Sequence, residues 1–99
     1  MKTPAKIKQL LQRIREMLAT GRFLDTAHAA ERQSQRRITR PEILYVLNHG
    51  WHEKRKDVFD FRYYAWNYAI RGKTVDGRQL RVIVSFESNG LLIITAIAL

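Results

Sequence analysis

Two turn signals near the C-terminus constrain the fold of this chain more than any other feature. The stretch from Tyr68 to Leu99 reads YAIRGKTVDGRQLRVIVSFESNGLLIITAIAL, with Asp76-Gly77 and Asn89-Gly90 as turn pairs. A type I′ hairpin turn needs positive φ at both central positions, which Asn, Asp and Gly tolerate. The intervening runs are rich in Val, Ile, Thr and Phe, which suit a pleated, half-buried surface. The expected unit is an antiparallel meander with strands at about 63–72, 78–87 and 91–98.

Two-residue loops would also set the register. Ile70 then opposes Ile83, Tyr68 opposes Ser85, Ser85 opposes Ile94 and Glu87 opposes Leu92. One face would hold Leu80, Val82, Val84, Phe86, Ile93, Thr95, Ile97 and Leu99, beside Ala69 and Asn67. The other would hold Trp66, Tyr68, Ile70, Arg81, Ile83, Ser85, Glu87, Leu92, Ile94 and Ala96. The first set reads as a core for helices. The second mixes aromatic rings, a cation and hydroxyls, and suits either stacked RNA bases or a covering partner. A bulge at Gly72 would exchange the faces locally.

The upstream sequence is helical. Thr3 is an N-cap candidate with Pro4 in the first turn, and Ile7, Leu10, Leu11, Ile14, Met17 and Leu18 recur at helical spacing, predicting a helix over about 4–20. Asp25 or Thr26 caps a second helix over about 27–36. A third, over about 40–48, starts with the Thr39/Glu42 capping-box spacing, flanked by Ile38 and Ile43 at hydrophobic-staple positions. Residues 51–56, WHEKRK, read as a possible edge strand whose charges block edge-to-edge pairing, and DVFDFR as a loop or irregular turn. Helices followed by strands predict an α+β domain, with two or three helices on one face of a three- or four-stranded antiparallel sheet.

Function enters through charge. Among 99 residues, 18 Lys and Arg face nine Asp and Glu, a net +9 that favours a polyanion: nucleic acid or an acidic protein. No cysteine is present, which removes disulfides and thiolate metal sites and makes a reducing cytoplasm the expected setting. No apolar run approaches the roughly 20 residues of a membrane span. Three histidines, far apart in sequence, make no metal-ligand pattern, and no Gly-rich phosphate loop is present. Neither metal nor cofactor is therefore expected.

RNA cleavage needs neither. It requires a group to deprotonate a 2′-hydroxyl and cations to stabilise the developing charge. His28, Arg32 and Arg36 share one face of the second helix at i, i+4 and i+8, with Arg37 following; the same spacing also fits a structural His and paired arginines. Tyr68 and Arg81 are the catalytic candidates on the open face, with His28 at its edge. Lys54, Arg55, Lys56, Arg62, Tyr64, Trp66 and Arg71 complete the nucleic-acid candidates. The open face or an edge strand is the expected oligomer surface.

His28 to Leu44, HAAERQSQRRITRPEIL, resembles the opening signature of a small bacterial family of unknown function, catalogued as DUF 4258. The later YAIRGKTVDGRQLRVIV, closing with IITA, resembles its strand region. That pattern is similar to RelE-like toxins of the BrnT and MqsR types. The resemblance implies helices on an antiparallel sheet, mRNA or ribosome-bound RNA as substrate, endoribonuclease activity and an acidic antitoxin as partner. Arg37 stands where the family usually has Gly.

Overall fold

Residues 2–99 are described by the structure, a computed structural model. Helix α1 (Leu10–Ala19) is followed by β1 (Phe23–Asp25), α2 (Ala27–Arg36) and α3 (Arg40–His49). Next come β2 (Trp51–His52), a 3₁₀ turn at Lys54–Lys56, β3 (Val58–Asp60), β4 (Ala65–Lys73), β5 (Gln79–Glu87) and β6 (Gly90–Ala98). The sheet order is β1-β6-β5-β4-β2, with β3 also on β4; all pairs are antiparallel except β1–β6. The α+β class stands, and the sheet has six strands rather than three or four.

Where local chemistry dictates structure, expectation and fold agree. Thr39 Oγ1 accepts from Glu42 N, and Glu42 Oε1 accepts from Thr39 N at 2.9 Å, completing the capping box. Ile38 and Ile43 both enter the core, as a staple requires. Thr26, not Asp25, caps α2 by accepting from Ala29 N. Gly50 ends α3 in extended backbone. Its missing side chain is a matter of space: a Cβ there would lie 2.5 Å from Arg71 O and 2.6 Å from Val46 O.

The first helix is shorter than its cap signal implies. Gln9, in the left-handed region at φ 54°, precedes α1, and no side chain caps it. Pro4 O instead accepts from Trp66 Nε1 at 2.8 Å, and Ile7 N donates to Tyr68 Oη at 2.9 Å. Tertiary hydrogen bonds thus outweigh a Thr-Pro start, and residues 3–7 lie as a strap across β4. Segment 51–56 likewise contains only a two-residue strand, while DVFDFR, expected as loop, supplies β3.

The largest correction concerns register. Tyr68 pairs with Val84 and Ile70 with Val82, one residue away from the expected alignment. The β4–β5 loop has three residues, not two. Gly77 N donates to Thr74 O, Gly77 sits at φ 84°, and Arg78 N donates to Thr74 Oγ1. This is a type I turn closed by a left-handed glycine, the other geometry compatible with Asp-Gly. An odd slip inverts a strand's faces. Trp66, Tyr68 and Ile70 therefore face the helices, whereas Asn67, Ala69 and Arg71 join Arg81 on the open side.

Strand β6 holds the bulge, at Ile94 rather than Gly72: Ile83 pairs with Thr95, but Val84 with Ile93. Beyond it Ala96 is buried, and Thr95 and Ile97 turn to the open side. Helices α1 and α3 close the other face with Leu10, Ile14, Ile43, Val46 and Leu47 over Tyr68, Ile70, Leu80, Val82, Val84 and Ile93. Helix α2 runs beside β6 and satisfies its edge. Thr26 N donates to Ile93 O, and Arg36 Nη1 donates to Ala96 O at 2.8 Å. A β-edge open to pairing with another chain is thereby covered.

Candidate nucleic-acid interface

The expected catalytic trio is not assembled. Tyr68 is 2 % exposed under the helices, with its hydroxyl engaged by Ile7 N. Arg81 lies on the opposite face. His28 is exposed on α2, beside the far edge strand. The register slip separates Tyr68 from Arg81, since it placed them on one face only under a two-residue loop.

Arg81 has a different occupation. Glu53, 1 % exposed, accepts from Arg81 Nε at 2.6 Å and Nη2 at 3.2 Å, and from Arg71 Nη1 at 3.3 Å. Arg71 also donates to Gln79 Oε1. The hydrogen bond from Arg81, seconded by Arg71, holds the Glu53 carboxyl below its usual range against the opposing effect of burial. The same bond raises Arg81. Two open-face cations are thus committed to an internal carboxylate. Arg36, tied to Ala96 O and Thr95 Oγ1, is likewise structural. Arg32 and Arg37 remain on the α2 side, with the Arg37 carbonyl accepting from Arg78.

The remaining candidates converge at the β2–β3 edge. Glu53 N donates to Ala69 O and Asp57 Oδ1 accepts from Ala69 N, so the segment between them bulges outward from β4. Lys54, Arg55 and Lys56 form the 3₁₀ turn at the crest, all exposed. Lys6, from the strap, pairs with Asp57 Oδ2 at 2.9 Å and lies 4.7 Å from the Trp66 ring centroid.

Strand β3 then leads into a four-residue turn of aromatic character. Asp60 Oδ1 accepts from Arg62 N and Tyr63 N, and Tyr64 closes the turn at φ 50°, a conformation bulky residues rarely adopt. Phe59 is the buried hub, with Phe61, Tyr64 and Trp66 edge-on at 4.8, 5.1 and 5.4 Å. Around it Phe61, Tyr63 and Tyr64 are 66 %, 76 % and 53 % exposed, and Arg62 stacks over Tyr63 at 5.5 Å. The edge therefore presents cations at one end and open rings with a cation at the other. Three residues of strand separate them, roughly 10 Å.

Sequence reasoning missed the imidazole in this edge. His52 Nε2 lies 2.7 Å from Asp57 Oδ2, and its ring packs edge-on against Tyr68 at 5.9 Å. A Lys6-paired carboxylate accepts, so His52 Nε2 is the donor in this contact. Nδ1 bonds to no protein group among the described residues, and 13 % of the side chain is open. The spacing His52-x₄-Asp57 was visible, but it signals nothing until the 3₁₀ turn folds it back. No three His, Asp or Glu side chains converge as a metal site among the described residues, and no described helix is long and apolar enough to cross a membrane.

The architecture defines a small basic α+β domain, with helices over one face of an open, mostly antiparallel sheet. The chain belongs to the family described as Domain of unknown function (DUF4258), whose model matches residues 26–98. No curated protein and no solved structure matches it.

Proposed function

We propose that this protein is a toxin-type endoribonuclease that binds single-stranded RNA along the β2–β3 edge and cleaves it without a metal ion. The supporting observation is the juxtaposition there of an Asp-oriented imidazole, His52, with Lys54–Lys56 and the exposed rings of the Phe61–Tyr64 turn. Open rings stack bases without sequence demand, and cations pair with phosphates. His52 Nδ1 takes the proton of a 2′-hydroxyl as that oxygen attacks the adjacent phosphorus. The basic turn offsets the added charge, and the 5′-oxygen leaves with a proton from solvent. An acidic antitoxin-like protein masking this edge is the matching partner.

A second reading, RNA binding without turnover, is favoured by one fact. Asp57 is fully used within the fold, by Lys6, His52 and Ala69 N, as a purely structural residue would be. One experiment separates the two. Wild-type protein incubated with a single-stranded RNA in EDTA is expected to yield 2′,3′-cyclic phosphate ends, and its expression to arrest growth. His52→Gln keeps binding and loses about 10²-fold or more in cleavage. Binding with no cutting by the wild type selects the second reading; no binding at all refutes both.

A further inference from the structure

We infer that a second site on the open face is a nucleobase pocket selective for guanine; it deepens the RNA-binding reading by naming the base that is read. A cleft of about 480 Å³ lies there, lined by Thr26, Tyr63, Asn67, Ser85, Glu87 and Leu92. That volume falls within the ~300–1,000 Å³ typical of small-ligand sites. Leu92 supplies apolar wall, and Tyr63, the most open of the aromatic rings, stands at the rim.

Glu87 decides the chemistry. In a chain with 18 cations and nine acidic residues, it is the one carboxylate with no partner among the described residues. Every other acidic side chain is bonded: Glu16 to Gln12, Asp25 to Arg40, Glu31 to Gln35, Glu42 to Thr39 and Glu53 to Arg81. Asp57 is bonded to His52, Asp60 to backbone N–H groups and Asp76 to Thr74. A carboxylate left free in such a surplus of cations, beside a cleft with a stacking ring, is placed to accept rather than to be neutralised. Guanine alone among the bases offers a carboxylate two adjacent donors, N1–H and N2–H, on its Watson–Crick edge. Its O6 calls for a donor, which the Asn67 carboxamide, itself without an intramolecular partner among the described residues, supplies. Ser85, which lines the cleft, already donates to Trp66 O at 2.9 Å, so its hydroxyl is left only to accept from a base. Arg22 lines a neighbouring groove that Glu87 also lines, and Arg62, 3.9 Å from Asp60, stacks on Tyr63; these are the two cations offered to the nucleotide's phosphate.

The test uses guanosine and adenosine 5′-monophosphates titrated into isotope-labelled full chain, followed by amide shifts, with oligouridine as a separate arm. Guanosine monophosphate is expected to shift the amides of Asn67, Ser85 and Leu92 and to bind at least about 10-fold more tightly than the adenosine compound. Glu87→Gln, at an exposed position without partners, should remove that preference; Asn67→Ala should weaken it. Equal shifts with both nucleotides, no shifts at these amides, or an unchanged preference in Glu87→Gln would overturn the pocket. Oligouridine offers no guanine and reports on the edge, including the Tyr63 ring that both sites share: its failure to bind counts against the RNA reading and leaves the preference for guanosine over adenosine to stand or fall separately.

Discussion

Replacing Glu53 with Gln should unfold this domain at markedly lower temperature. The carboxylate is 1 % exposed and accepts three guanidinium N–H bonds, at 2.6, 3.2 and 3.3 Å, from Arg81 and Arg71. Removing the anion leaves Arg81, only 18 % exposed at the side chain, as an uncompensated cation against the sheet. Breaking such a buried pair costs about 3–5 kcal/mol. In a domain of this size 1 kcal/mol moves Tm by ~4–8 °C, so the loss is at least about 12 °C. The pH dependence follows in sign. Glu53 is held below its ordinary carboxylate range when folded, so its contribution is complete above the unfolded value of 4.5 and disappears as pH falls through the folded one. The assay is urea unfolding at pH 7 and at successively lower pH, for wild type, Glu53→Gln, Arg81→Met and a Glu53→Leu/Arg81→Met pair. The double change removes both charges together and should recover most of the single-mutant loss. A Glu53→Gln penalty under about 1 kcal/mol at pH 7, or a wild-type stability flat through the acid range, would refute the idea that this pair holds the open face.

Three further outcomes are expected. Changing Lys54, Arg55 and Lys56 together to Ala should weaken single-stranded RNA binding and flatten the slope of log affinity against log salt by about 2, as read in a salt titration. Tyr68→Phe, which removes the acceptor of Ile7 N, should cost about 1 kcal/mol in denaturant unfolding and leave RNA binding unchanged, because Tyr68 is under the helices. Thr39→Ala should lower stability by about 0.5–2 kcal/mol without altering binding, since it touches only the α3 cap.

The contrast between Thr39 and Tyr68 shows what one chain of residues discloses. The capping box and its staple are settled within four or five residues, so their signals were legible, whereas the need for glycine at 50 comes from Arg71 on β4 as well as from Val46. The register of β4 on β5 depends on whether Asp76-Gly77 sits in a two- or a three-residue loop, and Asp-Gly suits both. The deciding interactions, Thr74 Oγ1 with Arg78 N and Thr74 with Asp76, are visible only once the loop is built. From that slip followed the misplacement of Trp66, Tyr68, Ile70, Asn67 and Ala69. β1 was missed because Phe23-Leu24-Asp25 carries no period, and its partner, β6, lies more than sixty residues downstream. The site divides the same way. The basic run 54–56 and the rings near 62–66 were recognisable by composition, whereas His52, Asp57 and Glu53 acquire meaning only when the 3₁₀ turn sets them on opposite faces of one edge.

The three-residue turn at Val75–Gly77 also governs what change this fold can absorb. Losing or gaining one residue there would carry Tyr68 and Ile70 to the exterior and bring Arg71 beneath the helices, inverting nine residues of strand. Losing or gaining two would keep inside and outside as they are. Among related chains, length variation at this loop should therefore run in even steps, and an odd step should appear only alongside a new bulge in β4 or β5. The turn acts as a reading frame for the sheet, and the composition of its neighbours is intelligible only in that frame.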